Sequence, residues 1–319
     1  MSAKEKTNEY LCPCCFSIIS TEKNHAGCPY SEIGDIASKK IYPAIISTST
    51  SGKTSFLLSA IDLLTNLPTG LGEFSFESKS IANFPTQINK LKDGIPLAGT
   101  RVVPKYSPMW MINSKNSRKK TALFTLFDFP SIPLRDRKVS SLIKKDSIDR
   151  HIKSAGCFLF IIDPIHIKNI SMRLSYKQRE GLPELINSTG KELMERNIGY
   201  VRNILGSAEQ LCKVPVAIIL TKSDLFINDF SESPIFLENP YLSNGAFDIQ
   251  DCNTVSEHVK DWLFEIGEGD LVKYSDKMCP YNKFFVSSAT GGAIKQGQPL
   301  TYRPHRVVDP LLWILKERL

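Results

Sequence analysis

The chain has 319 residues, 42% of them hydrophobic and 23% charged, which is ordinary for a globular protein that buries a real core. Its net charge of +7 is spread along the chain, with short clusters only at Lys39-Lys40, Arg118-Lys119-Lys120 and Lys144-Lys145, so a solvated surface fits better than a nucleic-acid stripe. The longest apolar runs, near 157–162 and 214–220, are too short to span a bilayer, and MSAKEKTNEY lacks a secretory apolar segment; no membrane contact and a cytoplasmic location are expected.

In chain order, residues 1–38 form a small polar segment bearing four of the eight cysteines. From residue 39 to 319 short apolar runs alternate with stretches of helical period, the mark of βαβ units. Strands are expected at Tyr42–Ser47, Thr121–Asp128, Cys157–Asp163, Val216–Thr221 and Phe284–Ser287. Helices are expected at Lys53–Thr65, Ser140–Ser154, Gly190–Leu211, Thr254–Ile266 and Asp309–Glu317. Residues 228–251, rich in Asn and Ser and without a period, read as a surface insertion. The fold class that follows is α/β: a mostly parallel sheet with helices on both faces, in three layers.

After the first apolar strand stands Ser47-Thr48-Ser49-Thr50-Ser51-Gly52-Lys53-Thr54, then an apolar-periodic helix. This is the strand–loop–helix setting of a Walker A loop, G-x-x-x-x-G-K-[ST], with Ser47 in place of the first glycine. In such a loop main-chain N–H groups wrap phosphates and the helix N-terminus favours negative charge. Ser47, Ser51, Gly52, Lys53, Thr54 and Ser55 are the candidate contacts, with Lys53 on the β- and γ-phosphates and the Thr54 hydroxyl on Mg²⁺. The alternative is a Ser/Thr-rich turn that happens to precede a helix.

Thr221-Lys222-Ser223-Asp224 follows the strand Val216–Leu220. A carboxylate there selects guanine, whose N1–H and N2–H₂ are donors that adenine lacks in that arrangement. Asp224 would accept from both, the Lys222 stem would lie along the base, and Thr221 stands where asparagine is usual. A polar turn capping a helix is the competing account. Asp128-Phe129-Pro130-Ser131 ends another apolar strand and matches a DxxG motif with serine for glycine; Asp128 would hold Mg²⁺ through water. Ser288-Ala289 follows the last strand in the position of an SA[KL] element, and Thr100 lies between the loop and Asp128 as candidate switch threonine.

Near the N-terminus, Cys12-Pro13-Cys14-Cys15 and His25-Ala26-Gly27-Cys28 give C-x2-C followed by H-x2-C. Two such pairs suit a structural tetrahedral Zn²⁺ site of Cys12, Cys15, His25 and Cys28, with Cys14 as a substitute ligand and a redox pair as the rival reading.

Taken in order, Ser47–Thr54, Thr100, Asp128, Thr221–Asp224 and Ser288-Ala289 resemble a P-loop GTPase of the translation-factor-related class. With the cysteine knuckle and the segment Arg303-Pro304-His305-Arg306-Val307-Val308-Asp309-Pro310-Leu311-Leu312-Trp313, the chain resembles the bacterial double-GTPase families of conflict and defence systems. The resemblance implies GTP/GDP and Mg²⁺ as ligands, Lys53, Thr100 and Asp128 at the reacting phosphate, and a second GTPase as partner. It also implies slow turnover: Ser131 is followed by Ile132-Pro133-Leu134, with no water-orienting glutamine, although Arg135 and Arg137 lie close in sequence. A nucleotide-binding scaffold without hydrolysis, a P-loop ATPase or nucleotide kinase, and a zinc-dependent nucleic-acid adapter are the other readings.

Overall fold

The computed structural model describes residues 9–11, 18–20, 39–48, 50–66, 74–80, 84–95, 97, 108–114, 121–128, 131, 145–179, 187–226, 247–292 and 301–319. Strands β1 (Glu9–Leu11) and β2 (Ile18–Ser20) form an antiparallel pair. Cys12, Cys14, Cys15, His25 and Cys28, the expected zinc set, lie outside the described residues, as do Thr100, Arg135 and Arg137.

The molecule is built on residues 39–47. β3 (Lys39–Ile41) pairs in parallel with β7 (Thr121–Thr125), and β4 (Pro43–Ser47) pairs in parallel with β8 (Cys157–Ile162). Only Tyr42 separates β3 from β4. Pro43 has no N–H to give a ladder, which suits the point where the chain leaves one neighbour for another. On one side β8 continues in parallel to β9 (Val216–Leu220) and β10 (Asn282–Val286). On the other, β7 pairs antiparallel with β6 (Met109–Ser114), which pairs antiparallel with the edge strand β5 (Phe74–Ser80). The result is an α/β fold on a mostly parallel sheet.

Alternate residues of the central strands enter different cores, because side chains alternate across a pleated strand. Ile45, Leu159, Ile161, Ala217 and Ile219 pack with helices α1 (Lys53–Asn66) and α7 (Asp309–Arg318). Ala44, Ile46, Phe158, Phe160, Val216 and Ile218 pack with α3 (Lys145–Ser154), α4 (Gly190–Leu205), α5 (Ile249–Glu265) and α6 (Gly269–Met278). A further helix, α2 (Pro85–Lys92), adds Ile88 and Leu91 to the first core.

The five expected strands and five expected helices are all present, with shifted ends. α4 stops at Leu205 rather than Leu211, because Gly206 takes a left-handed conformation (φ 79°) and its N–H caps the Arg202 carbonyl. α5 starts five residues before its expected Thr254: the Asp248 carboxylate caps it by accepting from Gln250 N–H at 2.8 Å. That start corrects the C-terminal bound of the expected 228–251 insertion, whose residues 228–246 lie outside the described set. β1, β2, β3, β5, β6, α2 and α6 were not expected, nor were the short helices Lys168–Ser171 and Tyr176–Arg179.

Arg306 locks the last helix to the rest. Its buried guanidinium donates to Asp251 at 2.7 and 3.2 Å and to Asp309 at 2.8 Å, joining α5 to the start of α7. Removing it strands two carboxylates, one of them fully buried. Arg306→Met should therefore lower the unfolding free energy by about 3 to 5 kcal/mol, measured by urea titration.

Candidate functional site

Beyond β4 the chain crosses toward β7, whereas beyond β8 it crosses toward β9. Neighbouring parallel strands whose connections part in this way leave a crevice outside their carboxyl ends. The segments that follow β4, β8 and β9 meet there, joined by the segments that follow β7 and β10.

The loop after β4 runs from Ser47 to Lys53 and leads directly into α1, with Gly52 O accepting from Phe56 N–H at 2.8 Å. Thr50 (φ 67°) and Gly52 (φ 76°) both take left-handed conformations. At Gly52 the backbone angle favours glycine, whereas space does not demand it: an added Cβ would meet only ordinary contacts with Lys222 Cε at 3.9 Å and Thr221 Oγ1 at 4.0 Å. The first N–H groups of α1 have no partner within their own helix, as at any helix start.

Two carboxylates close the loop. Asp128, just past β7, pairs through Oδ1 with the Lys53 ammonium and through Oδ2 accepts from the Thr54 hydroxyl at 3.0 Å. Burial pushes the Lys53 pKa down, and Asp128 opposes that shift. Asp163, just past β8 and fully buried, accepts from Lys222 Nζ at 2.6 Å and from Ile165 N–H at 3.2 Å. His166, on the same turn, shares a hydrogen bond of 2.8 Å with Thr50 Oγ1. Its imidazole pKa is held down chiefly by burial, against Asp163 and with Lys222 and Arg196.

The turn after β9 touches the loop directly: Thr221 Oγ1 donates to Ser51 O at 2.7 Å, and its second neighbour is Ile162 O at 3.3 Å. Lys222 sits in a left-handed conformation (φ 55°) above Gly52. Asp224 accepts from Ser288 Oγ at 2.5 Å; burial raises its pKa, and Ser288 and Lys222 oppose the rise. Ala289 O accepts from Ser59 Oγ of α1 at 2.6 Å. The structure therefore brings Ser47, Ser51, Gly52, Lys53, Thr54, Asp128, Thr221, Lys222, Asp224, Ser288 and Ala289 into one neighbourhood, with Ser55 on the first turn of α1.

Sequence reasoning missed three members. Asp163 ends β8 as Asp128 follows β7, a strand-end carboxylate that was legible in retrospect; His166 carried no such signal. Ser131 was noted only as a departure from glycine, yet its hydroxyl bonds that of Ser47 at 2.9 Å. Four other hydroxyl oxygens here, Thr48 Oγ1, Ser51 Oγ, Ser223 Oγ and Ser287 Oγ, are buried without a hydrogen-bonding partner. Asp251, Cys252 and Asp309 carry metal-ligand donors within 4.8 Å of one another, but the Arg306 guanidinium already binds both carboxylates.

Searches against protein-family models and against curated proteins return no match.

The Lys53–Asp128 pair makes a testable statement about charge. Asp128→Asn leaves a buried ammonium without its counter-charge and should cost about 3 kcal/mol near neutral pH. Lys53 then has a folded-state pKa below its unfolded value, so the unfolded chain binds more protons and stability rises with pH. Chemical denaturation should show the variant recovering most of the deficit by about pH 10.

Proposed function

We propose that the chain is a P-loop protein that binds guanine nucleotide with Mg²⁺ and acts as a slow GTPase switch. The observation that carries this reading is the bond from Thr221 Oγ1 to Ser51 O at 2.7 Å, which sets the turn bearing Asp224 beside the Gly-Lys-Thr loop at the carboxyl ends of parallel strands.

Residue chemistry supports each half. Unpaired buried hydroxyls cost about 1 to 3 kcal/mol each, so Thr48, Ser51, Ser223 and Ser287 clustered at one place favour a polar ligand there. The oxygens of Thr54 and Asp128 already lie 3.0 Å apart and are the hard donors that Mg²⁺ takes alongside water and phosphate. When bound, Mg²⁺ would neutralise charge on the phosphates. Lys53 would exchange its bond to Asp128 for one to phosphate oxygen, and the loop amides would orient the chain of phosphates. Asp224, held by Ser288, would accept from the guanine N1–H and N2–H₂ while the Ala289 N–H meets O6.

A second reading, nucleotide binding without turnover, draws on Ser131. Its hydroxyl is engaged by Ser47, and the residues after it include no glutamine to orient water. Phosphate release by the wild type separates the two.

The resemblance to double-GTPase families extends the proposal to a second GTPase as partner in a bacterial conflict or defence setting. It also extends to a structural Zn²⁺ on Cys12, Cys15, His25 and Cys28. Among the described residues no helix is long and apolar enough to cross a membrane. Elemental analysis of purified protein should find about one zinc per chain, lost in a Cys12→Ser, Cys15→Ser variant; a metal-free wild type refutes that part.

The central test is equilibrium binding of GTP, GDP and ATP with Mg²⁺. Lys53→Ala should weaken GTP roughly 10- to 100-fold, and Asp224→Asn should abolish the preference for GTP over ATP. Because burial raises the Asp224 pKa, protonation removes its acceptor at higher pH than for an ordinary carboxylate. Guanine preference in the wild type should therefore fade on acidification before ordinary carboxylates are protonated, while the Asp224→Asn variant shows no such pH dependence. Wild-type protein that prefers ATP would sink the guanine assignment.

A further inference from the structure

The segment Arg303–His305 holds none of the candidate nucleotide contacts named above, yet it is bound to the loop after β10 by main-chain bonds. Ser288 N–H donates to His305 O at 3.0 Å, His305 N–H returns to Ser288 O at 2.8 Å, and Arg303 N–H donates to Thr290 O at 2.9 Å. Gly291 permits the close crossing: it has φ 74°, and an added Cβ would lie 2.1 Å from the Arg303 carbonyl oxygen.

Directly opposed residues of an antiparallel pair carry their Cβ atoms on one face, about 5 Å apart. Ser288 and His305 are such a pair. The Ser288 hydroxyl reaches Asp224 Oδ1 at 2.5 Å, so the His305 side chain leaves the backbone on the face that carries the Ser288–Asp224 bond. His305 is only 7% exposed, and neither ring nitrogen has a hydrogen-bonding partner. Burial, aided by Arg306, pushes its pKa down to about 4, so at neutral pH the ring is uncharged and offers one N–H donor and one acceptor.

Guanine presents N1–H and N2–H₂ donors and the acceptors O6 and N7. Asp224 answers the donors and the Ala289 N–H answers O6, which leaves N7 in need of a donor in a desolvated pocket. We propose that His305 is a further base-reading residue, whose ring N–H donates to N7 of the guanine that Asp224 reads. The inference rests on the guanine reading of the site and adds to it a residue to which that reading gave no contact with the base.

Comparing GTP with 7-deaza-GTP, in which a C–H replaces N7, tests the assignment on the intact chain. Calorimetry with Mg²⁺ should show the wild type binding 7-deaza-GTP roughly tenfold more weakly than GTP. His305→Ala should weaken GTP to the same level and bind both nucleotides alike. His305→Asn, which keeps a donor, should recover part of the difference. A wild type that binds the two alike while still rejecting ATP overturns the role of His305 and leaves that of Asp224 standing. A penalty undiminished in both variants overturns it as well. If the wild type binds neither guanine nucleotide, the reading of the whole site fails and this inference falls with it. The first comparison uses unaltered protein, so a variant that folds badly does not shield the idea.

Discussion

A single buried hydroxyl joins the halves of the site: Thr221 Oγ1 gives its proton to Ser51 O, and in doing so sets the turn after β9 against the loop after β4. The geometry around it follows from that bond. Lys222 is carried over Gly52, and its ammonium reaches Asp163 at the end of β8. Three strand ends thus meet through one hydroxyl and one ion pair. Both lie where burial makes an unmatched polar group costly, so the arrangement is stiff.

The same region satisfies much of its own charge internally. Lys53, desolvated in the loop, finds Asp128; Thr54 shares that carboxylate; Thr50 finds His166. Ser47 and Ser131 bond to each other. A ligand at this loop would have to exchange bonds with these existing partners.

Much of this was legible in the chain. Five apolar runs became the parallel strands, because strands covered on both faces cannot hide their hydrophobicity, and the Gly-Lys-Thr loop fell where a strand hands over to a helix. The half-exposed side of the sheet was harder. β5 alternates phenylalanine with serine and glutamate, and as an edge strand it needs only one apolar face. α6 begins within four residues of the end of α5, too close for composition to mark a break, and its separate identity comes from Gly267 (φ 82°). In the site itself, motif residues announced themselves by spacing. Asp163 offered only its place at a strand end and His166 no signal, since their partners Lys222 and Thr50 lie far away in sequence and only folding brings them near.

The strand 39–47 also has a kinetic meaning. It pairs one half of its length with a strand beginning at residue 121 and the other half with one beginning at 157, and neither partner is local. Closing such large loops costs chain entropy before any packing compensates, so pairing at the centre of the sheet is expected late in folding. The loop at the end of β4 inherits that lateness. A partly assembled chain has the residues of the crevice without its shape, and whatever binds there selects, and thereby stabilises, only molecules that have completed their longest-range pairings.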